Sequence, residues 1–184
     1  MKEFFEDGRR RMEKTVKTFK EEMARVRTGR ASVSLLEGVK VDYYGNKMPV
    51  TQMATVTVSE GRYIVIQPWD VSAIKNIEKA IMESDLGLTP TSDGKVIRIN
   101  VPPLTEERRR DLVKLVRKMA EEARVAIRNI RRGLMDDLKK KKKEGEISED
   151  DFHRYQDQVQ KLTDEFIEKI EAVLEAKEKE ILTV

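Results

Sequence analysis

Residues 105–143, TEERRRDLVKLVRKMAEEARVAIRNIRRGLMDDLKKKKK, constrain the fold more than any other stretch. At 100° per residue they read as one helix with two faces. Leu112, Val116, Met119, Ala123, Ile127, Ile130 and Leu134 share one stripe, spaced by fours and threes. Arg110, Arg117, Arg124, Arg128 and Arg131 share a second, displaced by roughly 120°. The first face is for packing. The second is a row of guanidiniums whose partner this helix does not supply. A helix of that span is about 58 Å long, so whatever packs on it forms a rod.

Charge is distributed to match. Net +3 over 184 residues resolves into about +4 for residues 1–30, −1 for 31–104, +8 for 105–143 and −8 for 144–184. The basic density on the long helix suits a polyanion. No cysteine is present and His153 is the single histidine, which excludes disulfides and multi-imidazole metal sites. No stretch is apolar enough for a membrane span or a signal peptide, so the expectation is a cytoplasmic protein with no membrane partner, cofactor or metal.

Residues 3–27 predict a first long helix through Phe5, Met12, Val16, Phe19, Met23 and Val26, ending at Thr28-Gly29 with Gly29 as a left-handed cap. Arg9–Arg11 stand near its start, where the helix dipole disfavours cations. The pattern then changes. Residues 39–44, 54–58, 63–67 and 95–101 predict strands, and Gly45-Asn46 a turn. Residues 72–85 predict a short helix burying Ile74, Ile77 and Ile81, capped by Asp70 or Ser72. Pro102-Pro103 ends the last strand, and Thr105 caps the long helix. Glu144-Gly145 breaks that helix, and Ser148 caps a third one carrying Phe152, Tyr155, Val159, Leu162, Phe166, Ile170 and Val173. The fold class is α+β. A three-helix bundle from 1–30 and 105–184 carries a small inserted β/α/β domain, 31–104, and the chain passes between the two near 29–32 and 102–105.

RTGRAS (Arg27–Ser32), DLGL (Asp85–Leu88), PPLTEERR (Pro102–Arg109), ARVAIRNIRR (Ala123–Arg132) and KLTDEFIEKIEA (Lys161–Ala172) occur in this order across nearly the whole chain. In that series the sequence resembles the bacterial ribosome recycling factors. The resemblance implies a non-enzymatic, monomeric translation factor with an L-shaped outline like transfer RNA. It implies binding to the large ribosomal subunit, through 23S ribosomal RNA, across the tRNA sites after termination. With elongation factor G, which hydrolyses GTP, such a factor splits the ribosome into subunits. Carried over by position, the RNA-binding residues are Arg109, Arg128 and Arg131, with Arg132 beside them. The hinge residues are Gly29, Arg30, Ala31, Ser32, Pro102, Pro103, Leu104 and Thr105.

Each feature also has a plainer reading. The arginine stripe can be a solvated face with ion pairs to the acidic third helix. Lys139–Lys143 can be a helix end whose cations suit the dipole. Trp69 can be a stacking platform or a core or rim residue of the small domain. A coiled-coil structural protein would use the same three helices, though it has no reason to keep the insert. No phosphate-binding glycine loop or dinucleotide fingerprint is present, which argues against intrinsic catalysis.

Overall fold

The computed structural model describes residues 1–183. In chain order its regular elements are α1 (Lys2–Ala24), β1 (Lys40–Tyr43), β2 (Asn46–Pro49), β3 (Ala54–Ser59), β4 (Tyr63–Pro68), α2 (Ile74–Glu83), β5 (Pro90–Ser92), β6 (Ile97–Asn100), α3 (Glu106–Lys143) and α4 (Glu149–Leu182). Contacts divide the chain into two units. One joins Met1–Thr28 to the chain from Thr105 onward, and the other is Gly29–Leu104.

The first unit is a bundle of α1, α3 and α4. Both long helices start where the sequence places their caps. Thr105 Oγ1 accepts from Arg108 N–H at 3.1 Å, and Ser148 Oγ accepts from Asp151 N–H at 3.1 Å. Each bond satisfies a donor with no partner inside its helix. Met12, Val16, Phe19 and Met23 of α1 are buried, as are Val116, Ile127, Leu134 and Leu138 of α3. Val159, Phe166 and Ile170 complete the core from α4. Gly8 belongs to this core because a Cβ there would lie 2.9 Å from Leu134 Cδ1. Arg9, at a dipole-disfavoured position, is held from another helix: its two terminal nitrogens donate to the two carboxylate oxygens of Glu165, each at 2.9 Å. That bond raises the Arg9 pKa and lowers the Glu165 pKa.

The end of α1 differs from the expectation. The helix stops at Ala24, and Val26 N–H turns back to the Met23 carbonyl at 3.1 Å. Gly29 has φ +79°, but it is not the cap of α1. Its backbone lies against Leu104, whose Cγ would be 2.6 Å from any Cβ placed there.

The second unit holds an antiparallel β1–β2 hairpin and a four-stranded antiparallel sheet in the order β3-β4-β6-β5. Its core includes Leu36, Val41, Ile64, Ile66, Ile97 and Ile99, with Ile74, Ile77 and Ile81 from α2. Strands β2 and β5 were not expected. They are three or four residues long and each contains a proline, so neither shows a readable alternation. Asp70 caps the short helical turn before α2, accepting from Ser72 N–H at 3.0 Å. The hairpin turns at Tyr44-Gly45, with φ of 50° and 81°, one residue before the Gly45-Asn46 signal.

Asp70 also accepts from the Tyr43 hydroxyl at 2.6 Å, and this bond pushes the Tyr43 pKa up to about 12. An unfolded tyrosine ionises near pH 10. A group whose folded pKa is raised adds stability below its unfolded pKa and loses it as pH rises through the folded one. The same bond lowers the Asp70 pKa, so the difference in melting temperature between the native chain and Tyr43→Phe should be constant from about pH 5 to about pH 10, shrink toward about pH 12, and shrink also in acid as Asp70 is protonated. A difference that does not change over that window would refute the bond's role.

Candidate functional site

The arginines of α3 fall into groups that the helical projection alone did not separate. Val113, Ala120 and Leu138 are buried with the expected apolar stripe, while Met119 is only half-buried. The buried stripe is thus shifted toward the arginines, and the two are nearer to about 90° apart than about 120°. Arginines flanking a core at that angle can reach the neighbouring helix.

Two of them do so. Arg117 Nε donates to Glu178 Oε1 at 2.7 Å. Arg124 donates from Nη1 to Glu171 and from Nε to Glu121 Oε2, the latter at 2.8 Å. Burial works against the Arg124 charge, but the bonds to Glu121 and Glu171 outweigh it and hold its pKa above the usual value. Its bond to Arg124 in turn lowers the Glu121 pKa. Arg110 pairs with Glu106 one turn away at 2.6 Å. The expectation that this helix supplies no partner for its arginines is therefore corrected. Glu106 and Glu121 serve three of them, and carboxylates of α4 serve two. For Arg117 and Arg124 the plainer reading, ion pairs to the acidic helix, is the correct one.

The register of the α3–α4 pair explains which arginines are clasped. Arg117, Arg124 and Arg131 recur every seven residues, and so do Asp164, Glu171 and Glu178. In an antiparallel pair these two series face each other rung by rung. The heptad spacing was present in the sequence and is the signal that could have identified the clasps.

The third rung is built differently. Arg131 Nη1 donates to Gln160 Oε1 at 3.1 Å, and Gln160 Nε2 donates to Asp164 Oδ1 at 2.9 Å. Among the described residues no carboxylate contacts Arg131 directly. Its Nε is buried without a partner. Arg128, exposed, shares Glu121 at 3.2 Å. Arg132 is exposed, and no side-chain bond or ion pair is present for it among the described residues. Arg128, Arg131 and Arg132 thus gather within about one turn of helix. Arg109 does not join them. It stands about 28 Å away along the axis, in line with the buried stripe, and is partly exposed.

The other features resolve as follows. Lys141 pairs with Glu146 at 3.3 Å, and Lys142 with Glu149 at 3.6 Å while lying 4.8 Å from the centre of the Phe152 ring. The lysine run is a partly neutralised helix end. His153 is exposed, 4.0 Å from Glu149. Trp69 is 67% exposed, so it is not a core residue, and donates to Thr55 Oγ1 at 3.1 Å. Of the junction residues, Ala31 is buried and its N–H donates to the Gly61 carbonyl, while Ser32 accepts from Ser34 N–H. A concavity of about 810 Å³ opens beside Asp7, Arg10, Asp137 and Lys141. Charges of both signs line it, and no convergent set of reacting groups is present.

A long antiparallel bundle interrupted by a small antiparallel β unit is matched among known proteins. The family model described as ribosome recycling factor covers residues 19–182. The chain belongs to the ribosome recycling factor family. It is 57% identical to the ribosome-recycling factor of Desulforapulum autotrophicum, over 98% of this chain and 97% of the relative. It is 56% identical to that of Halalkalibacterium halodurans, over 100% and 99%. The solution structure of a ribosome recycling factor superposes with a TM-score of 0.80 at 48% identity, covering 100% of this chain and 97% of that one. The T. thermophilus factor, described together with E. coli elongation factor G bound to the E. coli post-termination complex, superposes at 0.67 with 52% identity, covering 99% and 98%. Among the described residues no helix is long and apolar enough to cross a membrane.

Proposed function

We propose that this chain acts as a monomer in the cytoplasm, binding the large ribosomal subunit after termination and, with elongation factor G, separating the subunits. The observation that carries the reading is the cluster of Arg128, Arg131 and Arg132 on one turn of a bundled helix. Among the described residues, carboxylates contact only Arg128 of the three. Guanidiniums fit phosphate oxygens in a fork, and A-form RNA is read mainly through its phosphates, 2′-hydroxyls and shape. A relative described with elongation factor G on a post-termination complex supports the choice of partners. The chain supplies positioning, and GTP hydrolysis by elongation factor G supplies the work. Arg109, at the start of α3, serves as a second, separate contact on 23S RNA.

The two connections, near 29–32 and 102–105, act as a hinge. Val101 N–H and Ala31 N–H are both anchored at the β3–β4 turn, on the Arg62 and Gly61 carbonyls. Bending therefore falls on the bundle side of those anchors, at Gly29 and Arg30 in one connection and at 102–105 in the other.

Sedimentation with large subunits at low and raised salt tests the binding. Stoichiometric, salt-sensitive cosedimentation is expected, together with subunit splitting on addition of elongation factor G and GTP. Absence of both would favour a structural coiled-coil protein.

A further inference from the structure

We infer that Gln160 is a positioning residue that keeps Arg131 fixed in place and free of a direct carboxylate partner, so that its charge remains available to RNA. The inference rests on the assignment of Arg131 to RNA binding.

The ladder between α3 and α4 carries the argument. Its first two rungs are direct guanidinium–carboxylate pairs, Arg117 with Glu178 and Arg124 with Glu171. At the third, the same heptad step sets Arg131 opposite Asp164. Here the pair is not closed, because the Gln160 amide stands between them. Chemistry fixes the orientation of that amide. A carboxylate only accepts, and a guanidinium only donates. Gln160 satisfies both only with its oxygen toward Arg131 and its nitrogen toward Asp164. Asp164 thereby orients Gln160, and Gln160 holds Nη1 of Arg131.

The result has two parts. The guanidinium is tethered by one neutral bond, so little side-chain freedom remains to be lost on binding. Its charge is also not cancelled, as it is at the other two rungs. The buried, unpartnered Nε of Arg131 shows that the side chain is not placed for its own hydrogen bonding. An unsatisfied buried donor calls for a reason, and presentation of Nη2, which makes no bond within the described chain, is one.

Gln160→Ala removes the insulating amide and lets Asp164 close on Arg131. Affinity for isolated large subunits, measured by sedimentation, should fall about three- to tenfold, with the melting temperature unchanged or raised. Adding Asp164→Asn to that variant removes the competing carboxylate and should restore affinity to within about twofold. A purely structural Gln160 would instead lower the melting temperature, and Asp164→Asn would not rescue binding. Full affinity in Gln160→Ala, or failure of the rescue, overturns the inference. If Arg131→Ala itself leaves affinity unchanged, the RNA-binding assignment fails, which is a separate result.

Discussion

Arg131→Ala should weaken binding to the large subunit by about ten- to a hundredfold and lower the slope of log affinity against log salt by about one. The magnitude follows from losing one charge-assisted contact to phosphate, about 1–3 kcal/mol. The informative control lies one heptad away. Arg124 is as basic as Arg131 and belongs to the same stripe, but Glu121 and Glu171 already neutralise it. Its loss should cost the bundle about 1–2 kcal/mol, because two charged bonds go and Arg124 is only 18% exposed. The salt slope should stay where it is. Parallel titrations of the two variants by salt-dependent sedimentation and thermal melting separate the roles. If Arg124→Ala flattens the slope as much as Arg131→Ala, the division of the stripe is wrong.

That division shows how far the sequence could be read. Thr105, Ser148 and the Pro102-Pro103 stop set the starts of α3 and α4 because each is a local signal: a hydroxyl three residues before an unpaired N–H, or a residue without an N–H. Ile97 and Ile99 announced their strand by alternation, and residues 63–67 announced theirs as a β-branched run. The end of α1 was misplaced because Gly29, a plausible cap, owes its conformation to Leu104, seventy-five residues away in sequence. Strands β2 and β5 were missed because pairing, not pattern, makes them strands. At the candidate site Arg128, Arg131 and Arg132 came from the family resemblance. Periodicity put Arg117 and Arg124 in the same stripe with equal claim. Only the facing helix distinguishes a clasped arginine from a presented one, and the heptad of Asp164, Glu171 and Glu178 carried that information without being matched to its partner series.

Two glycines should respond to alanine with opposite signs. Gly29→Ala forces a Cβ into a left-handed backbone at φ +79°, 2.6 Å from Leu104 Cγ and 3.1 Å from Leu104 N. The left-handed conformation costs about 1–2 kcal/mol. The contact adds about 1–3 kcal/mol, because Cγ sits at the base of its side chain and the backbone N cannot rotate away. A loss of about 2–5 kcal/mol is large for a unit of this size, near the lower limit for a self-supporting core. It should appear as early melting of the β unit, followed by Trp69 fluorescence, while the helical signal of the bundle persists. Gly133 lies inside α3, where an added Cβ meets nothing within 4 Å. Gly133→Ala therefore gains helix propensity at no steric cost, about 1 kcal/mol, and should raise the melting temperature of the helical signal. It does so one position from Arg132, so the same variant also tests whether RNA needs the bare backbone there. Unchanged affinity at higher stability is the expected result, because Arg128, Arg131 and Arg132 reach out through their own side chains. A variant that is more stable yet binds weakly would mean that the RNA approaches the α3 backbone itself.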